Sequence, residues 1–182
     1  VAISIILNYP KDNEHIGLLS ILSANSLVQS LKSYNIHGKV KWPNDVLVNS
    51  KKISGVLSEA VFKNNKSKSI VIGVGINVNC NKDDFYIDNF QYRLEPTSVF
   101  IESGDIISRE DLIASFLDFF YFWISEFKSK NYKRIVDFWK SNWDDIGADV
   151  SFVHEGEEIS GKIIDINQKG ELILEVSNQL KI

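Results

Sequence analysis

Residues 39–48, KVKWPNDVLV, followed by 52–62, KISGVLSEAVF, and 69–78, SIVIGVGINV, decide the fold of this chain. All three runs are rich in β-branched residues, and short polar turns separate them, which predicts neighbouring strands of one sheet. We interpret the first run as one strand, residues 39–42 continuing into 46–48. Pro43 predicts a bend or bulge within it, because proline cannot donate to a sheet ladder.

Further elements flank these strands on both sides. Residues 2–9 predict a buried strand, and residues 14–33 predict an amphipathic helix because their apolar side chains recur at three- and four-residue intervals. A short strand is expected near residues 98–101. Ser108 is a good N-cap for a helix with an aromatic stripe, and another helix is predicted over residues 132–143.

The last part of the chain changes character. Three β-rich segments, residues 150–153, 158–166 and 171–176, alternate with glycine-containing turns as in a small barrel of hairpins. About 35 residues are too few for an independent core, so we expect this part to dock on the rest. The sequence therefore predicts a larger domain at 1–146 and a smaller β domain at 147–182.

Composition excludes several classes of protein. The 182 residues carry a net charge of −4, which disfavours non-specific binding to polyanions. Cys80 and three scattered histidines cannot build a structural zinc site, and the single cysteine suits a reducing cytoplasm. No apolar run reaches the roughly 18 residues of a transmembrane helix. The chain has no Met and opens inside a strand-like run, so we expect it to be a fragment.

Charged side chains interrupt the apolar strands at Lys41, Asp45 and Lys52. A buried charge needs a partner, because burying an isolated ammonium or carboxylate is energetically costly. The cluster predicts either a site for anionic substrates or a structural Lys–Asp pair, and the pattern alone leaves both open. Gly73 and Gly75 indicate either close approach of a ligand or packing, and no helix start follows them as a dinucleotide fingerprint requires.

Together, the two clusters resemble the biotin protein ligases, whose hallmarks are a KWPND strand, a KKxxG strand and a GxGIN strand at this spacing. Residues 96–98, PTS, are similar to the ATSL-type segment of that family. The resemblance implies an α+β fold with a mixed central β-sheet and packed helices, a class II synthetase-like catalytic domain, followed by a small SH3-like β-barrel. Trp42 is interpreted as a packing residue, since it alternates with Lys41 along the strand.

One hallmark of that family has no counterpart in this sequence. It is a Gly- and Arg-rich loop, GRGRxxR, which in the family lies upstream of the strand that opens this chain. We therefore expect a chain that is truncated at the N-terminus, and slightly at the C-terminus. Such a chain would hold half of a site and be inactive alone.

The resemblance implies a cytoplasmic, ATP-dependent biotin–[acetyl-CoA-carboxylase] ligase. Such an enzyme activates biotin on Mg-ATP as biotinyl-5′-AMP and then transfers it to a lysine of a biotin carboxyl carrier protein. ATP, Mg2+ and biotin are the implied ligands, and a homodimer is a candidate assembly. Catalysis would rest on positioned cations, because both steps gather negative charge on oxygens. Nothing in these residues supports binding to nucleic acid or membrane.

The resemblance also assigns roles to individual residues. Lys52 matches the lysine that contacts the biotin carboxyl group and the α-phosphate, and Lys41 matches a second charge on the phosphate side. Asp45 matches the carboxylate that orients or deprotonates the incoming lysine and helps to hold magnesium, and Asn44 supports it on the nucleotide side. Lys51 is expected to be solvated, because consecutive strand residues point to opposite faces.

The remaining matches are small, apolar or amide side chains. Gly55 and Leu57 are expected to form a wall against the biotin rings. Gly73 and Gly75 would leave room for the nucleotide, and Asn77 matches the position that contacts adenine.

Three rival functions stay open. Lipoate protein ligases and octanoyl transferases share the fold and the carrier-lysine chemistry, although the spacing of KWPND and KKxxG favours biotin. A non-enzymatic biotin-sensing or interaction module could keep the sheet without the Gly-rich loop. Some members of the family carry an N-terminal helix-turn-helix that binds DNA, and these residues neither support nor exclude it.

Overall fold

The computed structural model describes residues 1–8, 14–63, 66–88, 90–154, 157–176 and 179–181. Tyr9 of the first predicted strand lies outside the described residues. In chain order the elements are β1 Ala2–Asn8, α1 Leu18–Lys32, β2 Lys39–Lys41, β3 Asp45–Val48, β4 Lys51–Lys63, β5 Lys66–Ile76, a 3-10 helix Asp83–Phe85, α2 Val99–Ser103, α3 Arg109–Lys128, α4 Tyr132–Lys140, β6 Asp149–His154, β7 Glu157–Ile166, β8 Leu172–Val176 and β9 Gln179–Lys181.

Five strands form the first sheet in the order β1-β5-β4-β3-β2, and each of its ladders is antiparallel. The prediction of a mixed sheet is therefore wrong for the described residues. The reason is connectivity, because β2 to β5 follow one another through short turns, and a short turn joins antiparallel neighbours. Parallel pairing between described residues is limited to the isolated bridges Val40–Trp143 and Lys52–Pro96.

The run at 39–48 folds as a hairpin and not as one bent strand. β2 and β3 pair antiparallel with Lys41 opposite Asp45, and residues 42–44 form the turn between them. Pro43 lies in that turn, where no ladder hydrogen bond is lost, and the Trp42–Pro43 peptide bond is cis. The hairpin brings the two charged ends of the motif, Lys41 and Asp45, side by side.

Helix α1 lies between the sheet and the other long helices. It contacts β4 and β5 on one side and α3 and α4 on the other, and most of its residues are buried. Its buried serines each donate a hydroxyl hydrogen bond to the carbonyl oxygen one turn earlier, which satisfies them locally. These are Ser23, Ser26 and Ser30. The opposite face of the sheet is open, since Leu57 is 58% exposed and Ile6 is 69% exposed.

The strand predicted near residues 98–101 is wrong, because a short helix, α2, begins there. The Ser98 side chain caps it by accepting a hydrogen bond from the backbone N–H of Ile101 at 3.1 Å. Gly104 ends it in the left-handed region at φ 81°. The cap and the terminal glycine outweigh the strand preference of the β-branched residues between them.

The aromatic stripe predicted after Ser108 is confirmed on α3. Ser108 caps the helix by accepting from the backbone N–H of Asp111 at 3.0 Å. The stripe is buried in the core and consists of Leu112, Phe116, Phe120, Trp123 and Phe127. Helix α4 ends at Lys140, three residues before the predicted end. No helix among the described residues is long and apolar enough to cross a membrane.

The four C-terminal strands form a second antiparallel sheet in sequence order, β6-β7-β8-β9. The described residues form no closed barrel, so the expected SH3-like barrel is not confirmed. The sheet does dock on the rest, because Ile163, Ile166 and Leu172 are buried in the common core. At the β7–β8 turn, a Cβ on Gly170 would stand 2.7 Å from the Ile21 Cδ1 atom of α1.

Candidate active site

A cavity of about 1100 Å3 lies on the open face of the first sheet. Its floor consists of residues from β1, β3, β4 and β5, one wall is the loop at 92–94, and another wall is β6 with the preceding segment. The predicted site residues that line it are Lys41, Asn44, Asp45, Lys52, Gly55, Leu57, Gly73 and Gly75. Tertiary structure thus brings eight of the nine predicted positions to one cavity.

Strand register makes part of the floor flat. Ala2, Gly75 and Gly55 are consecutive partners across β1, β5 and β4, so one row of the sheet is free of bulky side chains. A Cβ on Gly73 or Gly75 would meet only a backbone carbonyl oxygen, at 3.8 or 4.0 Å. The fold itself therefore leaves room for a Cβ at both positions. The glycines instead keep the space above the sheet free for a ligand.

Lys52 and Asp45 form an ion pair above this floor. The Lys52 Nζ atom lies 2.6 Å from Asp45 Oδ1, and the side chains are 40% and 20% exposed. The backbone of Lys52 is held on both sides, since its N–H donates to the carbonyl of Glu95 and its carbonyl accepts from the N–H of Thr97, each at 2.8 Å. A Cβ on Gly55 would stand 3.2 Å from Lys52 Nζ, so glycine makes room for the pair.

Asn44 fixes the tip of the hairpin to β4. Its side-chain amide donates to the carbonyl of Val56, and the N–H of Val56 donates back to the carbonyl of Asn44 at 2.9 Å. These reciprocal bonds hold the β3 side of the turn, which carries Asp45. Asn44 thereby supports the acidic end of the site through the backbone.

Lys41 and Trp42 contact the C-terminal part of the chain. Lys41 Nζ lies 3.6 Å from Asp145 Oδ2, in a pair whose side chains are 34% and 28% exposed. The indole Nε1 of Trp42 donates to the carbonyl oxygen of Gly170 at 3.1 Å. Trp42 is half-buried against the core, as predicted for packing, and it also lines the cavity.

Asn77 is the predicted site residue that does not line the cavity. Its side-chain amide donates to the carbonyl of Thr97 at 2.9 Å, and its backbone N–H donates to the carbonyl of Ile53. Its carbonyl accepts from the N–H of Val99, the first residue of α2. Asn77 therefore joins the end of β5 to the 97–99 segment, and a contact with adenine stays a prediction.

The prediction that the adjacent residues Lys51 and Lys52 point in opposite directions is confirmed. Lys52 lines the cavity, whereas Lys51 is outside the lining and pairs with Glu95 at 2.8 Å. That hydrogen bond and the charge of Glu95 raise the pKa of the Lys51 ammonium. Lys51 is thus paired at the surface rather than merely solvated.

Sequence reasoning missed both walls of the cavity. One wall, Tyr92, Arg93 and Leu94, belongs to a loop whose sequence has no helix or strand periodicity. The adjacent aromatic and cationic residues Tyr92 and Arg93 were the local signal that could have indicated a binding loop. Asp145 and the start of β6, residues 149–152, complete the lining. The sequence carried no local signal for this wall, because it reaches the cavity through docking of the second sheet.

The charges of the lining are balanced. Lys41, Lys52 and Arg93 provide three cations, and three aspartates provide three carboxylates. An anionic group would therefore be bound through the position of individual ammonium groups and not through a net positive field. The described lining contains no His or Cys, so the arrangement suits charge stabilisation rather than a Ser-His or Cys-His nucleophile.

Comparisons with known proteins identify relatives among the biotin ligases. The sequence model of the Biotin/lipoate A/B protein ligase family matches residues 1–77. The bifunctional ligase/repressor BirA of Bacillus spizizenii is 31% identical over 164 residues, which cover 90% of this chain and 50% of the relative. The biotin–[acetyl-CoA-carboxylase] ligase of Paracoccus denitrificans is 25% identical over 135 residues, covering 74% and 55%. The chain spans about half the length of these relatives.

Solved structures of biotin protein ligases are also similar to this chain. The apo biotin protein ligase of Aquifex aeolicus superposes with a TM-score of 0.83 at 26% identity, covering 99% of this chain and 76% of that one. The same Aquifex aeolicus enzyme in complex with biotin and ATP gives a TM-score of 0.82 at 27% identity, covering 99% and 73%.

Proposed function

We propose that the chain belongs to the biotin/lipoate A/B protein ligase family, whose sequence model matches residues 1–77. We propose further that the protein is a cytoplasmic, ATP-dependent ligase that attaches biotin to a biotin carboxyl carrier protein, such as that of acetyl-CoA carboxylase. The observation that carries the proposal is the Lys52–Asp45 ion pair above the glycine floor of a 1100 Å3 cavity. A structure similar to this chain over 99% of its length binds biotin and ATP.

In the first step, a carboxylate oxygen of biotin attacks the α-phosphorus of ATP. A P–O bond forms to give biotinyl-5′-AMP, and pyrophosphate leaves with the electron pair of the broken bond. Negative charge grows on the phosphate oxygens, and the ammonium of Lys52 stabilises it from a fixed position. Lys41 supplies a second positive charge on the phosphate side.

In the second step, a lysine amine of the carrier attacks the acyl carbon of the adenylate. An amide C–N bond forms, and AMP leaves with the electrons of the C–O bond. Asp45 orients the amine and takes its proton, because its carboxylate stands at the cavity with an ammonium already 2.6 Å away.

The other lining residues shape the two pockets. Gly55 and Leu57 form a backbone and side-chain wall against the biotin rings. Gly73 and Gly75 leave room for the nucleotide next to them, and Asn44 holds the tip that borders it. The functional division follows the predicted boundaries, with catalysis in 1–146 and the SH3-like part in 147–182.

Magnesium would enter this site with the nucleotide. Among the described residues no group of three or more His, Cys, Asp or Glu side chains could hold a metal by itself. Mg2+ is commonly bound by only one or two carboxylates together with substrate phosphates, so a single carboxylate at the cavity suits it. Asp45 is the carboxylate we assign to it, and the ion would neutralise phosphate charge.

The test is biotin-dependent ATP–pyrophosphate exchange by the intact protein, followed by transfer of labelled biotin to a carboxyl carrier domain. A carrier whose acceptor lysine is replaced by arginine is the control for the second step. Exchange that depends on biotin, and not on lipoate or octanoate, is the expected result. Exchange driven by lipoate would instead favour a lipoate-type ligase, and binding of biotin without exchange would favour a sensing module.

A further inference from the structure

Several contacts join the β2 side of the catalytic hairpin to the C-terminal part of the chain, and two of them involve residues that line the cavity, Lys41 and Trp42. Asn44 fixes the β3 side of the turn to β4 through its reciprocal bonds with Val56. The β2 side is a three-residue edge strand that pairs with β3, and on its outer edge the N–H of Val40 donates to the carbonyl of Asn142 at 2.9 Å. Lys41 and Trp42 at the end of β2 therefore depend on contacts from outside the sheet.

The first contact is the pair between Lys41 and Asp145. Asp145 lies just before β6, and its Oδ2 atom also accepts a hydrogen bond from the indole Nε1 of Trp143 at 3.2 Å. Trp143 is buried, so the carboxylate is anchored before it meets the lysine. At 3.6 Å the Lys41 ammonium is oriented by Asp145 but keeps its donors for another ligand.

A neighbouring pair shows what an ordinary surface contact looks like here. Lys39 Nζ lies 2.9 Å from Asp144 Oδ1, and these side chains are 47% and 67% exposed. Lys39 is two residues from Lys41 on the same edge strand, yet it lies outside the cavity lining, as does Asp144. Asp144 is therefore a matched control for Asp145.

The second contact is the hydrogen bond from Trp42 to Gly170. Gly170 lies in the β7–β8 turn at φ +85°. It packs closely against α1, because an added Cβ would stand 2.7 Å from the Ile21 Cδ1 atom. The Asn167 side chain accepts from the N–H of Lys169 at 2.9 Å, which stiffens the turn. The carbonyl oxygen that accepts the hydrogen bond from the indole N–H is thus held in place by the core and not by the hairpin.

We propose that the segment before β6 and the β7–β8 turn position the Lys41 side of the catalytic hairpin, with Asp145 as the positioning residue for Lys41 and the Gly170 carbonyl as the support for Trp42. The inference rests on the proposed function, because it concerns the phosphate-side charge of that reaction. Its physical basis is that an ammonium displaced by about 1 Å loses much of its effect on the transition state.

The experiment compares Asp145→Asn with Asp144→Asn in the intact protein by biotin-dependent pyrophosphate exchange. Asp145→Asn should lower kcat/KM for ATP about ten-fold and leave the KM for biotin unchanged, since a misplaced phosphate-side charge affects the nucleotide. Asp145→Glu should recover most of the loss, because its longer side chain can still reach the ammonium. Asp144→Asn should stay within about two-fold of the wild type.

A double-mutant cycle separates positioning from general loss of structure. In a Lys41→Met background, Asp145→Asn should cause no further loss, because the group it positions is gone. An additive loss, an equal effect of Asp144→Asn, or parallel changes in the KM for biotin and for ATP would overturn the proposal.

A readout without substrate keeps this test independent of the proposed function. The indole N–H of Trp42, assigned through Trp42→Phe, should be protected from hydrogen exchange, and its NMR signal should shift in Asp145→Asn but not in Asp144→Asn. A wild type without biotin-dependent exchange but with these indole signals would refute the ligase proposal and support the positioning. Free exchange of the indole proton would refute the positioning alone.

Discussion

Replacing Lys52 by alanine tests the centre of the proposed mechanism. The change removes the ammonium that lies 2.6 Å from Asp45 and lines the cavity. Lys51→Ala is the matched control, because Lys51 also forms an ion pair, 2.8 Å from Glu95, but lies outside the lining. Both variants lose one lysine and one pair from the same end of β4.

The structure sets the size of the two effects. The side chain of Lys52 is 40% exposed, so solvent screens its pair, and we expect the free energy of unfolding to fall by no more than about 1 kcal/mol. Loss of one fixed charge-stabilising group at a reacting oxygen raises the barrier by about 3 kcal/mol, a factor of about 100 in rate. The loss of activity should therefore greatly exceed the loss of stability.

The assay is biotin-dependent ATP–pyrophosphate exchange by each variant, with thermal unfolding of the same samples. Lys52→Ala should lose about 100-fold in rate with a nearly unchanged melting temperature, and Lys51→Ala should stay close to the wild type. Equal losses in the two variants would refute the assignment of Lys52. A loss that follows the melting temperature would show that the lysine acts through the fold.

Three further changes test other parts of the site and the docking of the second sheet. Asp45→Asn should slow transfer of biotin to the carrier more than formation of the adenylate, as measured in single turnovers, and the reverse order would assign Asp45 to the nucleotide. Gly55→Ala should reduce exchange with little change in unfolding, because the new Cβ would stand 3.2 Å from the movable Lys52 ammonium; a large loss of stability would contradict this. The hydrogen bond from Lys169 lowers the pKa of Glu14 below its usual range. The pair therefore stabilises the fold above that range, and the contribution is lost as the pH falls through the lowered pKa. Melting curves of wild type and Glu14→Gln should therefore converge in acid, and a gap independent of pH would argue against the pair.

Local patterns in the sequence predicted most helices and strands of the fold. The three- and four-residue periodicity of α1 and the aromatic stripe of α3 mark helices because they describe one buried face. The adjacency of β3, β4 and β5 followed from short polar turns between β-branched runs. Strand alternation likewise predicted that only one lysine of the pair at 51 and 52 can face the cavity, since neighbouring side chains point to opposite faces. The choice of Lys52 came from the family resemblance, and the structure places Lys52 in the lining through the register shift between β3 and β4.

Turn geometry and sheet direction needed the structure. The sequence could not show that Pro43 lies in the turn of a hairpin, because a bulge in one strand explains the same proline equally well. The antiparallel direction of the first sheet and the helix after Ser98 depended on capping and connectivity that outweigh local strand preference.

For the site, the sequence determined which residues carry the charges, and the tertiary structure decided which of them meet. Lys52 and Asp45 are adjacent because β3 and β4 pair with a shifted register, and a shift of that kind arises from the whole ladder. Asn77 turned away from the cavity because its amide is bonded to the backbone of Thr97. The wall that contains Asp145 lies about 100 residues from the hairpin in sequence. Burial of Trp143 in the core and the hydrogen bond from the Val40 N–H to the Asn142 carbonyl bring it to Lys41.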